Sequence, residues 1–567
     1  MVLVRLLCLT AHLIAPVSAL WPLPSQISEG ENHDLLIIPP TSASSTPFFR
    51  VASERLGQVQ TLQDAFARYT ELTFPHPASN AGKERGDDLG SAAVSRRLGQ
   101  SHIAGGVSGG GTINGMVIKV QDASEEAPQL DTDESYSLTI DTQHGNNGFI
   151  TAPTIYGALR GLETFSQLVH FDFDTATYQL TVGVPLSIHD APRFPHRGLM
   201  VDTARHFLPV TTLKHALDSM SYAKLNVLHW HISDTQSFPM QFISRPDLWA
   251  GAHSPRERYL QAEVRDVVEY ARKRGIRVIP EFDVPGHAAS WCQGYPEVCP
   301  SDPQCTQPLN VAHNKTFELI GDIISECVGD QGDQSDEKQP LFVDNFFHLG
   351  GDEVDTTCWE RDEEIAAWMK NQSYNDPDEA YSYFVKRAAS IATQHGKRPV
   401  QWSEVYDHFK HNLEESTIVH VWKSITNVTE VAEMGYDLLV NVGYTNGSYY
   451  LDNLNRAWEE IYERSPCMGI PEDRPDLCKK VLGGHGEMWG ETVDTSDFDA
   501  TVWPRLAAIA ERLWSTEDNS NDSTTALPRI QDFRCLLNER GVAAAPVNNA
   551  DARTAPPGPG SCYKQRR

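Results

Sequence analysis

The chain has 567 residues, 40% of them hydrophobic and 22% charged, with 47 Lys plus Arg against 76 Asp plus Glu for a net charge of -29. That length supports a large core and roughly two to four average domains, fewer where one of them is a barrel. The acidic balance argues against a nucleic-acid partner held by phosphate neutralisation and leaves neutral or cationic ligands as the more plausible class.

The first segment, "MVLVRLLCLTAHLIAPVSAL", carries an early Arg, an apolar stretch and the small-residue pattern Val17-Ser18-Ala19, so a signal peptide over residues 1–19 is expected, cleaved near Ala19. No later run approaches the roughly 20 apolar residues that span a bilayer, so no membrane partner is expected. The expected location is extracellular, or a lysosome or vacuole reached through the secretory pathway.

Residues 20–192 alternate a helix-like "TLQDAFARYTEL", strand-like "GMVIKV" and "ESYSLTI", and the helix-like "TIYGALRGLETFSQLV", which reads as a small α+β domain. A Gly/Ser-rich insertion is expected over about residues 76–114. Its glycines make a poor phosphate cradle, because no Gly-Lys-Ser/Thr follows them. After "HDAPRFPHRG" the texture changes to apolar strands separated by helical patterns. Eight strand-like segments follow: "RGLMVDTAR", "NVLHWHISD", "IRVIPEFDVPGH", "FFHLGGDE", "RPVQWSE", "IVHVWK", "DLLVNVGY" and "VLGGHGEMWGE". Helical stretches such as "LKHALDSMSYAKL" and "EAYSYFVKRAASIATQHG" lie between them. The fold class is therefore α/β: a (β/α)8 TIM barrel over residues 193–545, preceded by the α+β domain and followed by a tail over 546–567.

Without Cys8, nine cysteines remain. The expected pairs are Cys292 with Cys299, Cys305 with Cys358, Cys467 with Cys478 and Cys535 with Cys562, each joining loop-like segments, although spacing alone does not fix connectivity. Cys327, inside the amphipathic "FELIGDIISECV", is the expected free thiol. No CxxC pair occurs, which lowers the odds of a zinc ribbon or redox motif. Asn-x-Ser/Thr sequons at Asn314, Asn371, Asn427, Asn446 and Asn521 are candidate glycan positions in an exported chain.

In a TIM barrel the site lies at the carboxyl ends of the strands, where this chain strands a series of polar and aromatic residues. They include Asp202, Arg205, Asp234, Asp283, His287, Asp352, Glu353, Trp402, Trp422, Tyr450, Asp452, Trp489 and Glu491. Carboxylates, an Arg and tryptophans facing one mouth suit a sugar, whose hydroxyls bond polar groups and whose apolar face stacks on indole. The adjacent pair Asp352-Glu353 in "HLGGDEV" poses a problem: on a strand such neighbours point to opposite faces. Two acids so placed cannot flank one bond from the same wall.

"GLMVDTARHFLP", "LNVLHWHISDTQSFP", "DVPGHAASW", "HLGGDEVDTTCW", "YLDN" and "MWGE", in this order, resemble the β-N-acetylhexosaminidases of glycoside hydrolase family 20. The resemblance covers roughly residues 150–540. It implies an exo-acting, retaining hydrolase of terminal N-acetylhexosamines, GlcNAc with GalNAc left open beside it, on glycans or chitooligosaccharides. It also implies substrate assistance, in which the substrate's 2-acetamido oxygen is the nucleophile, an exception to the usual paired-carboxylate arrangement. By the same resemblance Glu353 is the general acid and base, Asp352 holds the acetamide N–H, and Tyr450 donates to the acetamide oxygen. Trp402, Trp422 and Trp489 wall in its methyl group, while Arg205, Asp452 and Glu491 grip the sugar. Asp234 and His287 support the acid. No cofactor and no metal are implied, and a homodimer is possible by the family's habit.

Two other readings stand beside this one. His229 and His231 in "HWH" share a strand face at ligand spacing, as in metal-dependent hydrolases, but no further His and Lys ligands complete such a site; the plainer reading packs and bonds both beneath the pocket. A catalytically silent sugar-binding protein would lack one of the catalytic positions, and all of them are filled here.

Overall fold

The computed structural model describes residues 20–547, except 34, 41–45, 78–110, 142–144, 174, 303, 306, 330–338, 424–425 and 442–448. The expected signal peptide, most of the Gly/Ser-rich insertion, Asn446, the tail from residue 548 and the Cys562 half of one expected disulfide lie outside the described residues.

All eight strand-like segments form strands, in sequence order, of one closed parallel barrel. They are His196–Asp202, Val227–Ser233, Arg277–Phe282, Phe346–His348, Arg398–Trp402, Ile418–Val421, Asp437–Val440 and Val481–Met488. Closure comes from the last strand pairing back on the first, from His196↔Gly483 to Val201↔Met488. Every residue of the first, second, third and last strands is buried, as expected for parallel strands covered by helices outside and side chains inside. Helices Val210–Tyr222 and Pro377–Gln394 lie where the periodicity places them. The last of these begins on a capping box, Asp376 with Glu379, and a proline at its first turn, which satisfies amides that a helix start leaves unpaired.

Inside the barrel the side chains fall into layers. An apolar floor is made by Val227, Ile279, Phe346, Val400, Ile418, Leu439 and Leu482. Two residues further along four of the strands the inward positions are polar, His229, Glu281, His348 and His420, and His485 joins them from the last strand. Above them the strand ends open into loops.

The residues before the barrel form a six-stranded mixed sheet, ordered Gln26–Ser28, Leu186–Asp190, Tyr136–Ile140, Asn147–Thr154, Gly115–Asp122 and Phe49–Val51. Helices Gln60–Thr73 and Ile155–Leu168 accompany it; the second is buried at every position and starts on Thr154, whose hydroxyl accepts from the Gly157 amide. This unit is joined to the barrel by buried charge. Glu134 accepts from Arg160 on its own side and from Arg197 on the first barrel strand, at 2.6 Å in both ion pairs. Burial would raise its pKa, but Arg197 and Arg160 hold it below the usual range. Asp190 pairs with Lys224 at 2.9 Å and accepts from the Trp514 indole at 3.0 Å.

Disulfides Cys292–Cys299, Cys305–Cys358 and Cys467–Cys478 are present as expected, and Cys327 is a buried free thiol. Among the described residues no helix is long and apolar enough to cross a membrane. Replacing Glu134 by Ala strands two buried guanidinium groups, so Glu134→Ala is expected to cost about 3–5 kcal/mol, read from the shift in denaturant midpoint.

Candidate active site

Strand ends and the loops after them enclose a cavity of about 330 Å³ at the carboxyl end of the barrel. Ten of the eleven expected site residues line it: Arg205, His287, Asp352, Glu353, Trp402, Trp422, Tyr450, Asp452, Trp489 and Glu491. The eleventh, Asp234, is 1% exposed and lies behind the wall.

The acidic pair is not on a strand. The fourth strand stops at His348, and Gly350 and Gly351 turn through left-handed backbone, φ 62° and 99°. The turn is tied down on all sides. The Gly350 amide donates to His348 Nδ1 at 3.0 Å, the Gly351 amide to Asp283 Oδ1 at 2.9 Å, and the Tyr381 hydroxyl to the Gly351 carbonyl. A Cβ on Gly350 would sit 1.7 Å from Asp283 Oδ1, so glycine is required there by space as well as by φ. The turn frees Asp352 and Glu353 from the strand's alternation. Asp352 is 7% exposed at the pocket base, whereas Glu353 stands exposed at its rim.

Glu353 and His287 both hold φ of 52°, a conformation that non-glycine residues adopt at a cost of order 1–3 kcal/mol and chiefly where function fixes them. Their side chains meet: His287 Nε2 lies 3.5 Å from Glu353 Oε2 and 3.7 Å from Asp352 Oδ2, while Nδ1 lies 3.2 Å from Asp234 Oδ1. Burial alone would discharge this imidazole, but Asp283, Asp234, Glu353 and Asp352 override it and push its pKa to about 12. The resulting cation holds the Glu353 carboxyl below its ordinary value through their contact. Burial, then Asp352, raises Asp283 well above the ordinary carboxylate value, and burial raises Asp352 as well, so these two neighbouring acids resist ionising together.

Asp234 gathers the cations. Its carboxylate meets Arg205 Nη2 at 2.8 Å and His231 Nε2 at 3.0 Å besides His287. Arg205 is also held by Asp202 at 3.0 Å, and its guanidinium lies 5.0 Å above the Trp489 ring. His231 donates its other face to Glu281, Nδ1 to Oε2 at 2.7 Å. His229 Nε2 lies 2.8 Å from the same carboxylate. Both histidines of "HWH" are thus buried beneath the pocket, and His231 is committed to two carboxylates rather than free to hold a metal.

The tryptophans take different stations. Trp402, 1% exposed, donates Nε1 to Glu281 at 2.8 Å and stacks on His420 at 4.2 Å; Trp489 leans on it at 5.9 Å. Trp422 donates to Glu404 at 2.7 Å and faces Tyr450 at 6.4 Å. Tyr450 and Asp452 reach the pocket because their segment pairs with the last barrel strand, Tyr450 bridging to Glu487 and the Leu451 amide donating to the Glu487 carbonyl at 2.7 Å. Burial keeps the Tyr450 hydroxyl protonated, its pKa well above the ordinary value. Burial, then Glu491, lifts Asp452 to about 6.

Sequence reasoning passed over Thr492, which lines the cavity, and Glu404, which is 5% exposed and bonds both the Trp422 indole and Lys423. Glu404 follows the fifth strand two residues after Trp402, so its place after a strand end was available as a signal. Thr492 carried none.

An acid-lined, tryptophan-walled pocket at the carboxyl end of a closed parallel barrel defines a carbohydrate-active TIM-barrel enzyme. The profile of "Glycosyl hydrolase family 20, catalytic domain" matches residues 194–517, and that of "beta-acetyl hexosaminidase like" matches residues 20–168. The chain belongs to glycosyl hydrolase family 20 and is a glycoside hydrolase. It is 40% identical to beta-hexosaminidase 1 of Arabidopsis thaliana, over 99% of this chain and 97% of that protein. It is 34% identical to beta-hexosaminidase subunit alpha of Bos taurus, over 96% of each. The solved chitobiase of Flavobacterium johnsoniae superposes with a TM-score of 0.69 at 26% identity, covering 93% of this chain and 73% of that one. The beta-N-acetylhexosaminidase of Streptomyces coelicolor A3(2), at 22% identity, shares the fold with a TM-score of 0.67 over 93% of this chain and 97% of that one.

Gly350→Ala is expected to lower stability by about 2 kcal/mol or more through the forced φ and the Asp283 contact, and to displace Asp352 and Glu353. Thermal unfolding together with turnover checks it; unchanged values for both would show that the turn relaxes freely.

Proposed function

We infer that this chain is an exo-acting β-N-acetylhexosaminidase that removes terminal non-reducing N-acetylhexosamine from glycans or chitooligosaccharides with retention of configuration. The observation that carries this reading is the pairing of a buried acid, Asp352, with a rim acid, Glu353, on one turn of a pocket whose volume of about 330 Å³ suits a single sugar ring.

In this reading the substrate's acetamide oxygen attacks the anomeric carbon as the glycosidic bond breaks. The leaving oxygen takes its proton from Glu353, and an oxazolinium ring forms. Asp352 accepts from the acetamide N–H and offsets the positive charge that develops there, which a neutral side chain could orient but not offset. Tyr450, protonated and buried, donates to the acetamide oxygen, and Trp402, Trp422 and Trp489 enclose the methyl group. Water activated by Glu353, now a carboxylate, opens the ring and restores the acid. Arg205, Asp452 and Glu491 bind the hydroxyls and close the non-reducing end. Asp234 and His287 position the acid and set its charge.

The sequon positions Asn314, Asn371, Asn427 and Asn521 are exposed, which supports glycosylation along a secretory route to the cell exterior or to a lysosome or vacuole. The three disulfides support the same route. Several relatives are named as subunits, which supports a homodimer. The two profile matches support a division near residue 193.

Hydrolysis of nitrophenyl GlcNAc and GalNAc tests the activity, with Glu353→Gln expected to lose roughly 10²–10⁴-fold in kcat while still binding a thiazoline mimic of the oxazolinium ion. Full turnover in Glu353→Gln, or no thiazoline inhibition of wild type, removes the assignment. A second measurement reads the pH profile. Glu353 must be protonated for bond cleavage, so kcat/KM falls as pH rises through its pKa in the free enzyme, and the His287 cation holds that pKa down. His287→Gln is therefore expected to move the alkaline limb of kcat/KM to higher pH while lowering the maximum; a limb that stays in place or moves to lower pH contradicts this coupling.

A further inference from the structure

Behind the cluster on Asp234 stands a second buried carboxylate to which the reaction sketched above gives no role. Glu281, on the third barrel strand, is fully buried. Its two oxygens face two different parts of the site. Oε2 accepts from His231 Nδ1 at 2.7 Å, and Oε1 accepts from the Trp402 indole at 2.8 Å. Among the described residues the hydrogen bonds on this carboxylate come from those two side chains.

Each oxygen opens a path to one half of the hydrolysis. From Oε2 the path runs through His231, whose Nε2 lies 3.0 Å from Asp234 Oδ2. The other oxygen of Asp234 lies 3.2 Å from His287 Nδ1, and His287 Nε2 lies 3.5 Å from Glu353 Oε2, a looseness usual for a catalytic contact before substrate tightens it. Carboxylate and imidazole alternate along the whole row. Burial opposes a charge on His231, but Glu281 first, with Asp234 and Asp202, raises its pKa well above the ordinary value. Both of its nitrogens therefore carry protons to donate, which gives the ring one orientation between the two carboxylates. From Oε1 the path is a single step. Trp402 is 1% exposed and lines the pocket, and its only donor is spent on Glu281, so the indole plane is set by that carboxylate.

We propose that Glu281 is a positioning residue for both halves of the reaction: through His231 and Asp234 it holds His287 against the acid Glu353, and through Trp402 it holds the wall around the acetamide that serves as nucleophile. The proposal rests on the hydrolytic reading above and adds to it a rigid link between the acid and the nucleophile. With one oxygen on each arm, the carboxylate cannot turn to suit one without disturbing the other. A purely structural Glu281 would behave differently. Its loss would lower the amount of folded enzyme and nothing that tells one substrate from another.

The test compares two substrates on the full chain: dinitrophenyl GlcNAc, whose leaving phenolate needs no proton, and chitobiose, whose leaving sugar oxygen needs one. Affinity for the thiazoline mimic of the oxazolinium ion reads the acetamide wall separately. His231→Gln is expected to lose about tenfold or more beyond its dinitrophenyl loss when chitobiose is the substrate, a fraction of what general acid catalysis contributes, while keeping its thiazoline affinity. Trp402→Phe is expected to show the reverse, a loss of about tenfold or more in thiazoline affinity with both substrates slowed by one common factor. Glu281→Met, which keeps the side-chain length and has no strong acceptor, is expected to show both changes at once. A common factor on both substrates, or a shift in only one of the two readouts, in a folded Glu281→Met overturns the proposal. Because that variant can fail to fold, the arms are also read singly: an equal loss on both substrates in His231→Gln, or wild-type thiazoline affinity in Trp402→Phe, overturns it with Glu281 untouched. Wild-type turnover of nitrophenyl GlcNAc decides the hydrolytic reading, and the ratios among variants decide the role of Glu281.

Discussion

The Asp234 carboxylate is the constraint on which the pocket depends. It is almost wholly buried, and a buried carboxylate is tolerable only when hydrogen-bonded and paired. Arg205, His231 and His287 supply that pairing from three different segments: the loop after the first strand, the second strand itself, and the loop after the third. Closing the barrel brings those segments together, and the carboxylate then fixes their side chains relative to one another. The guanidinium that lines the pocket and the imidazole that faces Glu353 share one anchor. A displacement of either is transmitted to the other through the same two oxygens.

The layers of the barrel explain why such a cluster can sit so deep. The apolar floor excludes water from the amino end, so every charge above it must find its partner inside the protein. Moving up the strands, Glu281 meets His229, His231, His348 and the Trp402 indole. Higher still, Asp283 receives the Gly351 amide and lies against the turn that carries Asp352. Glu281 ties the histidine layer to the tryptophan that walls the pocket, and Asp283 ties the third strand to the acidic turn. The polar interior is therefore continuous with the site rather than beneath it by accident. Folding must assemble both together.

The barrel was legible because parallel strands buried on both faces are written as apolar runs, and all eight runs became strands. The ring of site residues was legible for the same reason: polar side chains directly after such runs have nowhere else to go than the mouth. What the sequence concealed is long-range. Asp234 looked like another wall residue, since nothing local says that its oxygens are consumed by Arg205 and two histidines. Thr492 carries no chemistry that marks it. The histidines of the fourth, sixth and eighth strands read as isolated polar interruptions in apolar runs; only barrel closure shows that His348, His420 and His485 face one another.

The acidic pair shows how far a local rule reaches. Strand alternation would send Asp352 and Glu353 to opposite walls, and the rule is sound for as long as the strand lasts. The strand ends at His348, because Gly350 and Gly351 adopt backbone that no strand contains and their amides are claimed by His348 and Asp283. From there the two acids are placed by the turn. Asp352 falls inward beside Asp283, and Glu353 is thrown outward on left-handed backbone to meet the His287 cation, itself on left-handed backbone. One acid is thereby kept dry at the pocket base, where the proposed reaction develops positive charge. The other stays wet at the rim, where the proposed reaction needs an acid and then a base. The division of labour between two adjacent residues is a consequence of two glycines.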